Sequence, residues 1–119
     1  MQLILASSSP FRRKLLKKLG IGFQSQSPDL DETPAQKSGL GALEISRNLS
    51  QLKAKEVAKN CSEETVIIGS DQVCSIDGEI LNKSNNNEEA LEQLKKLRGK
   101  THQLFTSYCL VKGLSLIHI

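Results

Sequence analysis

The sequence predicts an α/β fold in which a central mixed β-sheet is flanked by helices. Two short apolar runs, residues 3–6 and 65–68, are typical of buried strands. Between and after them, apolar residues recur at helical spacing in three longer segments. At 119 residues the chain fits a single domain. Strands that alternate with helices in one domain favour layers of helices packed on a sheet.

The first strand leads directly into a helix. Ser9 is a favoured N-cap residue, and Pro10 suits the first helical position. Gly20 is typical of the position just past a helix end. We therefore expect a helix that begins at Pro10 and stops at Gly20.

The start of this helix is rich in groups that donate hydrogen bonds to an anion. They are the hydroxyls of Ser7, Ser8 and Ser9, the free backbone N–H groups of the first turn and the guanidinium of Arg12. Phosphate is the ligand that these donors favour. The alternative is a capped amphipathic helix without a ligand, with an apolar stripe on one face and basic residues in solvent.

The middle of the chain alternates between loops and helix. Residues 22–27 predict a second short strand, and the prolines at both ends of residues 28–34 predict an acidic loop. Residues 35–41 have the composition of an exposed linker. Apolar residues then recur at helical spacing over residues 43–60, which predicts a long helix with Lys53 off its apolar face.

The second apolar run delivers polar residues to one end of the sheet. Residues 65–68 continue into Gly-Ser-Asp-Gln at 69–72, and ligands of open α/β sheets bind at the carboxyl ends of the strands. Residues 73–81 predict a hairpin because Asp-Gly fits a tight turn. A helix over residues 88–98 follows asparagines that can cap it, and residues 100–111 alternate as a strand does.

Composition and charge limit the classes of function. The net charge of +3 comes from basic residues interspersed with acidic ones, which permits nucleotide binding without demanding nucleic acid. Aromatic residues make up 3% of the chain, so the stacking platforms of single-strand binders are poorly supplied. Three separated cysteines argue against a zinc site and a disulfide framework. Without a membrane-spanning stretch or a leader pattern, we expect a cytoplasmic protein that binds neither nucleic acid nor membrane.

Charged residues that suit nucleotide phosphates are spread over several parts of the chain. They are Arg12 with Ser7 and Ser9, then Glu32, Lys53, and Asp71 with Lys83. Hydrolysis of a phosphoanhydride needs cations that offset the phosphate charges, carboxylates that hold a divalent metal and a base for the attacking water. The set contains each of these, so it predicts nucleotide-phosphate chemistry.

Five short motifs in register carry a family resemblance. They are S-x-S-P-x-R at residues 7–12, D-E at 31–32, L-x-x-x-K-A at 49–54, G-S-D at 69–71 and G-K-x-H at 99–102. With these motifs the chain resembles the Maf family of nucleoside triphosphate pyrophosphatases over nearly its whole length. The resemblance implies hydrolysis between the α- and β-phosphates, which releases a nucleoside monophosphate and pyrophosphate.

The resemblance also implies roles for individual residues. Asp71 matches the general base, and Glu32 and Asp71 match ligands of a divalent metal, Mg²⁺ or Mn²⁺. The positions that match phosphate-binding residues are Ser7, Ser9, Arg12, Lys53 and Lys83. The expected partner is the nucleoside triphosphate substrate, and assembly as a homodimer is left open.

Two positions near the phosphate and metal groups point to a subgroup of the family. Members that resemble the dTTP/UTP pyrophosphatases usually carry arginine and threonine where this chain has Phe11 and Gln72. The pair instead resembles the 7-methyl-GTP pyrophosphatases, because an aromatic face suits cationic 7-methylguanine and a glutamine can donate to or accept from a base edge. The alternatives are a dTTP/UTP enzyme and, for Phe11, a core position on the first helix.

The resemblance also predicts the domain organisation. Residues 1–112 match the N-terminal portion of a single Maf-like domain, similar in fold to inosine-triphosphatase-like proteins. Residues 113–119 do not resemble the family's continuation, so we expect an atypical tail there and a domain without its C-terminal part. A further alternative is therefore a truncated, non-catalytic protein that binds nucleotides or regulates cell division.

Overall fold

The structure is a computed structural model that describes residues 2–81, 86–113 and 115–117. It is a mixed α/β fold, which confirms the predicted class. Its elements are β1 (Leu3–Ala6), α1 (Pro10–Lys17), β2 (Gln24–Ser25), α2 (Thr33–Gln36), α3 (Ala42–Ala58), β3 (Val66–Ile76), β4 (Glu79–Leu81), α4 (Asn87–Leu97), β5 (Gln103–Lys112) and β6 (Ser115–Ile117).

All of these strands belong to one mixed sheet, in which β3 is central. The strand order is β2-β1-β3-β5-β6, and β4 pairs with the far end of β3. β1 runs parallel to both β2 and β3, whereas β5 runs antiparallel to β3 and β6 antiparallel to β5. The parallel part needs the crossover helices α1 and α3, and the antiparallel part is built from shorter connections.

β3 is longer than predicted and continues through the polar motif Gly-Ser-Asp-Gln at residues 69–72. The prediction that residues 69–72 follow the end of a strand is wrong, because β5 pairs with β3 from Val66 opposite Lys112 to Ser75 opposite Gln103. This antiparallel ladder supplies hydrogen bonds along the whole strand. The predicted hairpin is confirmed: β4 returns along β3 after a turn at Asp77 and Gly78, both at positive φ.

The other edge of β3 is paired only in part. Its pairing with β1 ends at Gly69, opposite Ala6, and its pairing with β4 begins at Cys74, opposite Leu81. Residues 70–73 therefore lie between the two partners on this side. The polar motif sits just beyond the carboxyl end of β1, so the expected relation between site and strand end holds for β1 instead of β3.

One helical turn, α2, lies in the segment predicted to be loop and linker. Its start is held by Asp31, whose Oδ1 accepts a hydrogen bond of 3.0 Å from the backbone N–H of Thr33. This bond lowers the pKa of the Asp31 carboxyl. Pro34 occupies the first turn, where its missing N–H costs no helical bond. The prediction of loop and linker is therefore wrong for Thr33–Gln36, where Asp31 and Pro34 suit the start of a helical turn.

The core lies between α3 and one face of the sheet. α3 confirms the helix predicted over residues 43–60, and its buried apolar residues pack on alternate residues of β3, because successive strand residues point to opposite faces. Two clusters form this core: Ile4, Ala6, Ala54, Val57, Ala58, Ile67, Cys109 and Val111 near one end, and Ala42, Ile45, Leu49 and Val73 near the other.

Gly69 allows α3 to approach β3 closely. A Cβ atom at this position would lie 2.8 Å from the Cβ of Ala54 and would also collide with the backbone carbonyl of Ser50. Neither neighbour is the flexible end of a side chain, so relief would require the helix backbone to move. The strand therefore needs glycine here for packing, since its φ is not in the left-handed region.

Within the described part of the chain, no helix combines the length and the apolarity needed to cross a bilayer.

We expect Gly69→Ala to lower the free energy of unfolding by about 1–3 kcal/mol, because the added methyl group overpacks the α3–β3 contact. Gly22→Ala is the matched control, because a Cβ at Gly22 meets no atom within 4 Å. Its effect should stay within about 1 kcal/mol. Urea unfolding of the two variants measures the difference, and equal stabilities would contradict the packing role of Gly69.

Candidate active site

A cleft of about 540 Å³ opens beside residues 70–73 of β3. The β1–α1 connection forms one wall, α3 forms another, and residues from the segment before α2 and from β4 close the remaining sides. Among the lining residues are Ser7, Ser8, Ser9, Phe11, Arg12, Glu32, Lys53, Asp71 and Gln72. The structure thus brings together predicted site residues that lie far apart in the sequence.

Lys53 occupies the floor of the cleft and bonds to two carboxylates. Its Nζ donates a hydrogen bond of 2.8 Å to Oδ1 of Asp71 and lies 3.0 Å from Oε1 of Glu32. The prediction that Lys53 lies off the apolar face is wrong, because only 9% of the residue is exposed. Leu49 and Val57 precede and follow it by four residues, a spacing that puts all three on one face of α3.

Asp71 projects from β3 toward α3, on the same face as Ile67 and Val73. Only 6% of the residue is exposed. Its Oδ1 accepts the Lys53 hydrogen bond, whereas its Oδ2 is buried and has no hydrogen-bond partner among the described residues. A buried carboxylate oxygen without a donor is costly, and such groups in native proteins are concentrated at functional sites.

The pKa of Asp71 reflects two opposing influences. Burial raises it, because the charged form loses hydration, and the negative charge of Glu32 raises it further. The hydrogen bond and positive charge of Lys53 lower it, as does the charge of Arg12. Burial dominates, so the pKa lies above the usual aspartate value. This direction suits a group that must accept a proton, because a carboxylate base works better as its pKa approaches the working pH.

The first turn of α1 forms the opposite wall of the cleft. Ser9 is the N-cap, as predicted, and its Oγ accepts a hydrogen bond of 3.4 Å from the backbone N–H of Arg12. Ser7 Oγ accepts from the N–H of Ser9 at 3.0 Å. Both hydroxyls keep their own protons, so they remain able to donate to an anion. Arg12 donates from Nη1 to the backbone oxygen of Ser70 at 3.2 Å, which ties α1 to the open edge of β3.

Phe11 and Gln72 lie at the mouth of the cleft. Phe11 is 78% exposed, so the interpretation of Phe11 as a core residue is wrong. More generally, α1 has no buried residue, and its predicted apolar stripe is not covered in this structure. Gln72 is exposed as well, and its Oε1 accepts a hydrogen bond of 3.1 Å from Oγ1 of Thr106. Lys83, the remaining predicted phosphate-binding residue, lies outside the described residues.

Sequence comparison relates the chain to a known protein family. A sequence model of the family described as Maf-like protein matches residues 2–116. The chain belongs to the Maf family. It is 40% identical to a nucleoside triphosphate pyrophosphatase of Pelagibacter ubique over 120 aligned positions, which cover 98% of this chain and 61% of the relative.

Two further relatives of this Maf-family chain are 7-methyl-GTP pyrophosphatases. The protein from Pseudomonas aeruginosa is 43% identical over 95% of this chain and 57% of its own length. The protein from Vibrio parahaemolyticus is 45% identical over 88% of this chain and 52% of its own length. The family resemblance expected from the motifs is thus confirmed, and the chain spans between half and two-thirds of the length of these relatives.

The carboxylates of the site suit a hard divalent metal. No cluster of three or more His, Cys, Asp or Glu side chains occurs in the ranges that the structure describes. Glu32 and Asp71 nevertheless meet at one ammonium group, and Oδ2 of Asp71 has no donor. Mg²⁺ commonly takes one or two carboxylates and completes its shell with water and substrate phosphate oxygens. Two carboxylates beside a cleft lined by hydroxyl and guanidinium groups fit that pattern.

Sequence reasoning did not anticipate every residue at the site. Gln36, Ser27 and Pro28 also line the cleft, and Thr106 bonds to Gln72 from the neighbouring strand. Thr106 lies 34 residues from Gln72, and only the register of β5 on β3 places them opposite each other. A single sequence holds no local signal for that register.

The influence of Lys53 on Asp71 can be measured directly. We expect the pKa of Asp71 to lie above 3.8 and to rise further in Lys53→Met, because Lys53 lowers the pKa through both its hydrogen bond and its charge. Carbon NMR of the side-chain carboxyl across a pH series gives the value. Lys55→Met is the control, since Lys55 lies exposed on the same helix and its removal should leave the titration nearly unchanged. A pKa at or below 3.8 would contradict the dominance of burial.

Proposed function

We propose that the protein is a metal-dependent nucleoside triphosphate pyrophosphatase. It hydrolyses the α–β phosphoanhydride of a modified nucleotide, 7-methyl-GTP, and releases the monophosphate and pyrophosphate. The observation that carries the proposal is the buried carboxylate of Asp71, whose second oxygen has no partner among the described residues, beside an ammonium group and a cationic helix start. The names of the relatives from three bacteria support the same reaction.

The cations and donors around the cleft can hold the phosphates. Backbone N–H groups and the partial positive charge at the start of α1 favour an anion there, together with Ser7, Ser9 and Arg12. Lys53 donates one of its three ammonium protons to Asp71 and forms an ion pair with Glu32. It can therefore also donate a hydrogen bond to a phosphate oxygen. Lys83 is proposed as a further cation on the basis of the family motif alone.

Asp71 acts as the general base in this proposal. Its Oδ1 is held by Lys53, which leaves Oδ2 to accept the proton of the attacking water. The water oxygen then forms a bond to phosphorus as the phosphoanhydride bond breaks and pyrophosphate leaves. Glu32 and Asp71 would hold Mg²⁺ or Mn²⁺, which when bound supplies positive charge against the phosphates.

The preference for 7-methylguanine rests on Phe11 and Gln72. An exposed aromatic ring at the cleft offers a face to a cationic base, and such contacts contribute about 0.5–2 kcal/mol. The competing substrate is dTTP or UTP. Family members that resemble the dTTP/UTP pyrophosphatases usually carry arginine and threonine at these two positions. None of the described residues that line the cleft favours that alternative. The cytoplasmic location remains a prediction of the sequence, and assembly as a homodimer stays open.

The proposed reaction is tested by removing the base. We expect Asp71→Asn to lower the rate of pyrophosphate release by at least about 100-fold, because the amide cannot accept the water proton. Pyrophosphate is assayed with 7-methyl-GTP and Mg²⁺ or Mn²⁺, on this chain and on a version extended to the length of its relatives.

Asp29→Asn serves as the control. It removes the same charge from the chain, and Asp29 is exposed. This control should keep its activity. An Asp71→Asn variant that retains most of its activity would remove Asp71 from the mechanism. Nucleotide binding without any pyrophosphate release, in the extended protein as well, would favour the non-catalytic alternative.

Base preference gives a separate test. We expect the extended protein to prefer 7-methyl-GTP over GTP and dTTP in kcat/KM, and Phe11→Arg with Gln72→Thr to reduce that preference by about 1–3 kcal/mol. The loss follows from removing both the aromatic face and the amide. A nucleotide panel with pyrophosphate as readout provides the ratios. Preference of the unmodified protein for dTTP would overturn the assignment of substrate and leave the reaction class intact.

A further inference from the structure

Gln72 lies between an open edge and a paired edge of the sheet. On the β1 side, residues 70–73 fall in the gap between the last pair with β1 and the first pair with β4, and the cleft opens there. On the other side, β5 continues past Gln72 without interruption. One polar atom of the Gln72 side-chain amide can therefore face the cleft while the other faces β5.

Thr106 holds the end that faces β5. Gln72 and Thr106 are directly opposite each other in the antiparallel ladder, so their side chains lie on the same face of the sheet. The Thr106 hydroxyl donates to Oε1 of Gln72 at 3.1 Å. Threonine is stiff at χ1, which keeps this hydroxyl in place. With its oxygen held by β5, the amide has its Nε2 protons left for the cleft, and these protons can only donate.

We propose that Thr106 is a positioning residue that turns the amide nitrogen of Gln72 toward the cleft, so that the site selects nucleobases with a carbonyl at the recognised edge. Guanine, 7-methylguanine, uracil and thymine present such an acceptor. Adenine and cytosine present an amino group at the corresponding position, which would place donor against donor. The inference rests on the proposed nucleotide function and adds a substrate class to it.

Two nucleotide pairs change this base edge and leave the rest of the nucleotide nearly the same. GTP and 2,6-diaminopurine ribonucleoside triphosphate differ by a carbonyl or an amino group at position 6 of the purine, together with the proton on the adjacent ring nitrogen N1. UTP and CTP differ in the same way at position 4 and N3 of the pyrimidine. Calorimetric titration of the 119-residue chain in EDTA measures binding without turnover. We expect the carbonyl member of each pair to bind about tenfold more tightly, the effect of one hydrogen bond replaced by an unsatisfied group.

Variants separate positioning from a merely structural role. Thr106→Val removes the hydroxyl at nearly constant shape and should bring both ratios close to one, whereas Thr106→Ser should restore them. Gln72→Glu, with acceptors at both ends of the side chain, should reverse the preference toward the amino bases. Inorganic tripolyphosphate, which has no base, should bind the unmodified chain and the two Thr106 variants equally, since Thr106 does not line the phosphate side of the cleft.

The outcomes distinguish this inference from the proposed function. Equal binding within both pairs by the unmodified chain, or discrimination that persists in Thr106→Val, would overturn the role of Thr106 and leave the pyrophosphatase proposal standing. If neither the four nucleotides nor tripolyphosphate bind in EDTA, and a repeat titration with Mg²⁺ or Mn²⁺ also shows no binding, the nucleotide function fails and this inference fails with it. Discrimination that is lost in Thr106→Val and returns in Thr106→Ser supports it.

Discussion

The buried ammonium group of Lys53 is the interaction on which the site depends. It joins three parts of the chain, since Lys53 lies on α3, Asp71 on β3 and Glu32 in the segment before α2. Removing these charges from water carries a large penalty, so the group does little for stability by itself. Losing Lys53, however, would leave two neighbouring carboxylates without a compensating charge. The ion-pair group thus strongly disfavours arrangements in which the three segments move apart, and this keeps two carboxylates together at the cleft.

The open edge of β3 and the close approach of α3 make this arrangement possible. β1 ends at Ala6 and β4 begins its pairing at Cys74, so the sheet has a gap where a ligand can enter. Gly69 lets the helix backbone approach the strand just before that gap. Lys53, next to Ala54 on the helix, then reaches Asp71, two residues beyond Gly69 on the same face of the strand. The close packing of α3 on β3 therefore also brings Lys53 to Asp71, the candidate base.

Several local features followed from local chemistry. The cap at Ser9, the helix start at Pro10 and the Asp-Gly turn were predicted correctly, because each depends on the conformational preferences of two or three neighbouring residues. The long helix α3 followed from its apolar spacing. The prediction failed where strand pairing decided the outcome: β3 continues through residues 69–72 because β5 lies beside it. It failed for Lys53 as well, because two carboxylates compensate its charge on the buried face that the spacing of Leu49 and Val57 defines.

The sequence by itself determined the fold class, the family and the residue types of the site, since apolar periodicity and short motifs are local properties of the chain. It grouped Asp71, Glu32 and Lys53 as residues of one site but predicted no distances between them. Only the tertiary structure decided that Lys53 is buried between both carboxylates, that Oδ2 of Asp71 is left without a donor among the described residues, and that Thr106 lies opposite Gln72. These depend on strand register and on how closely a helix approaches the sheet, which arise from contacts between residues distant in sequence.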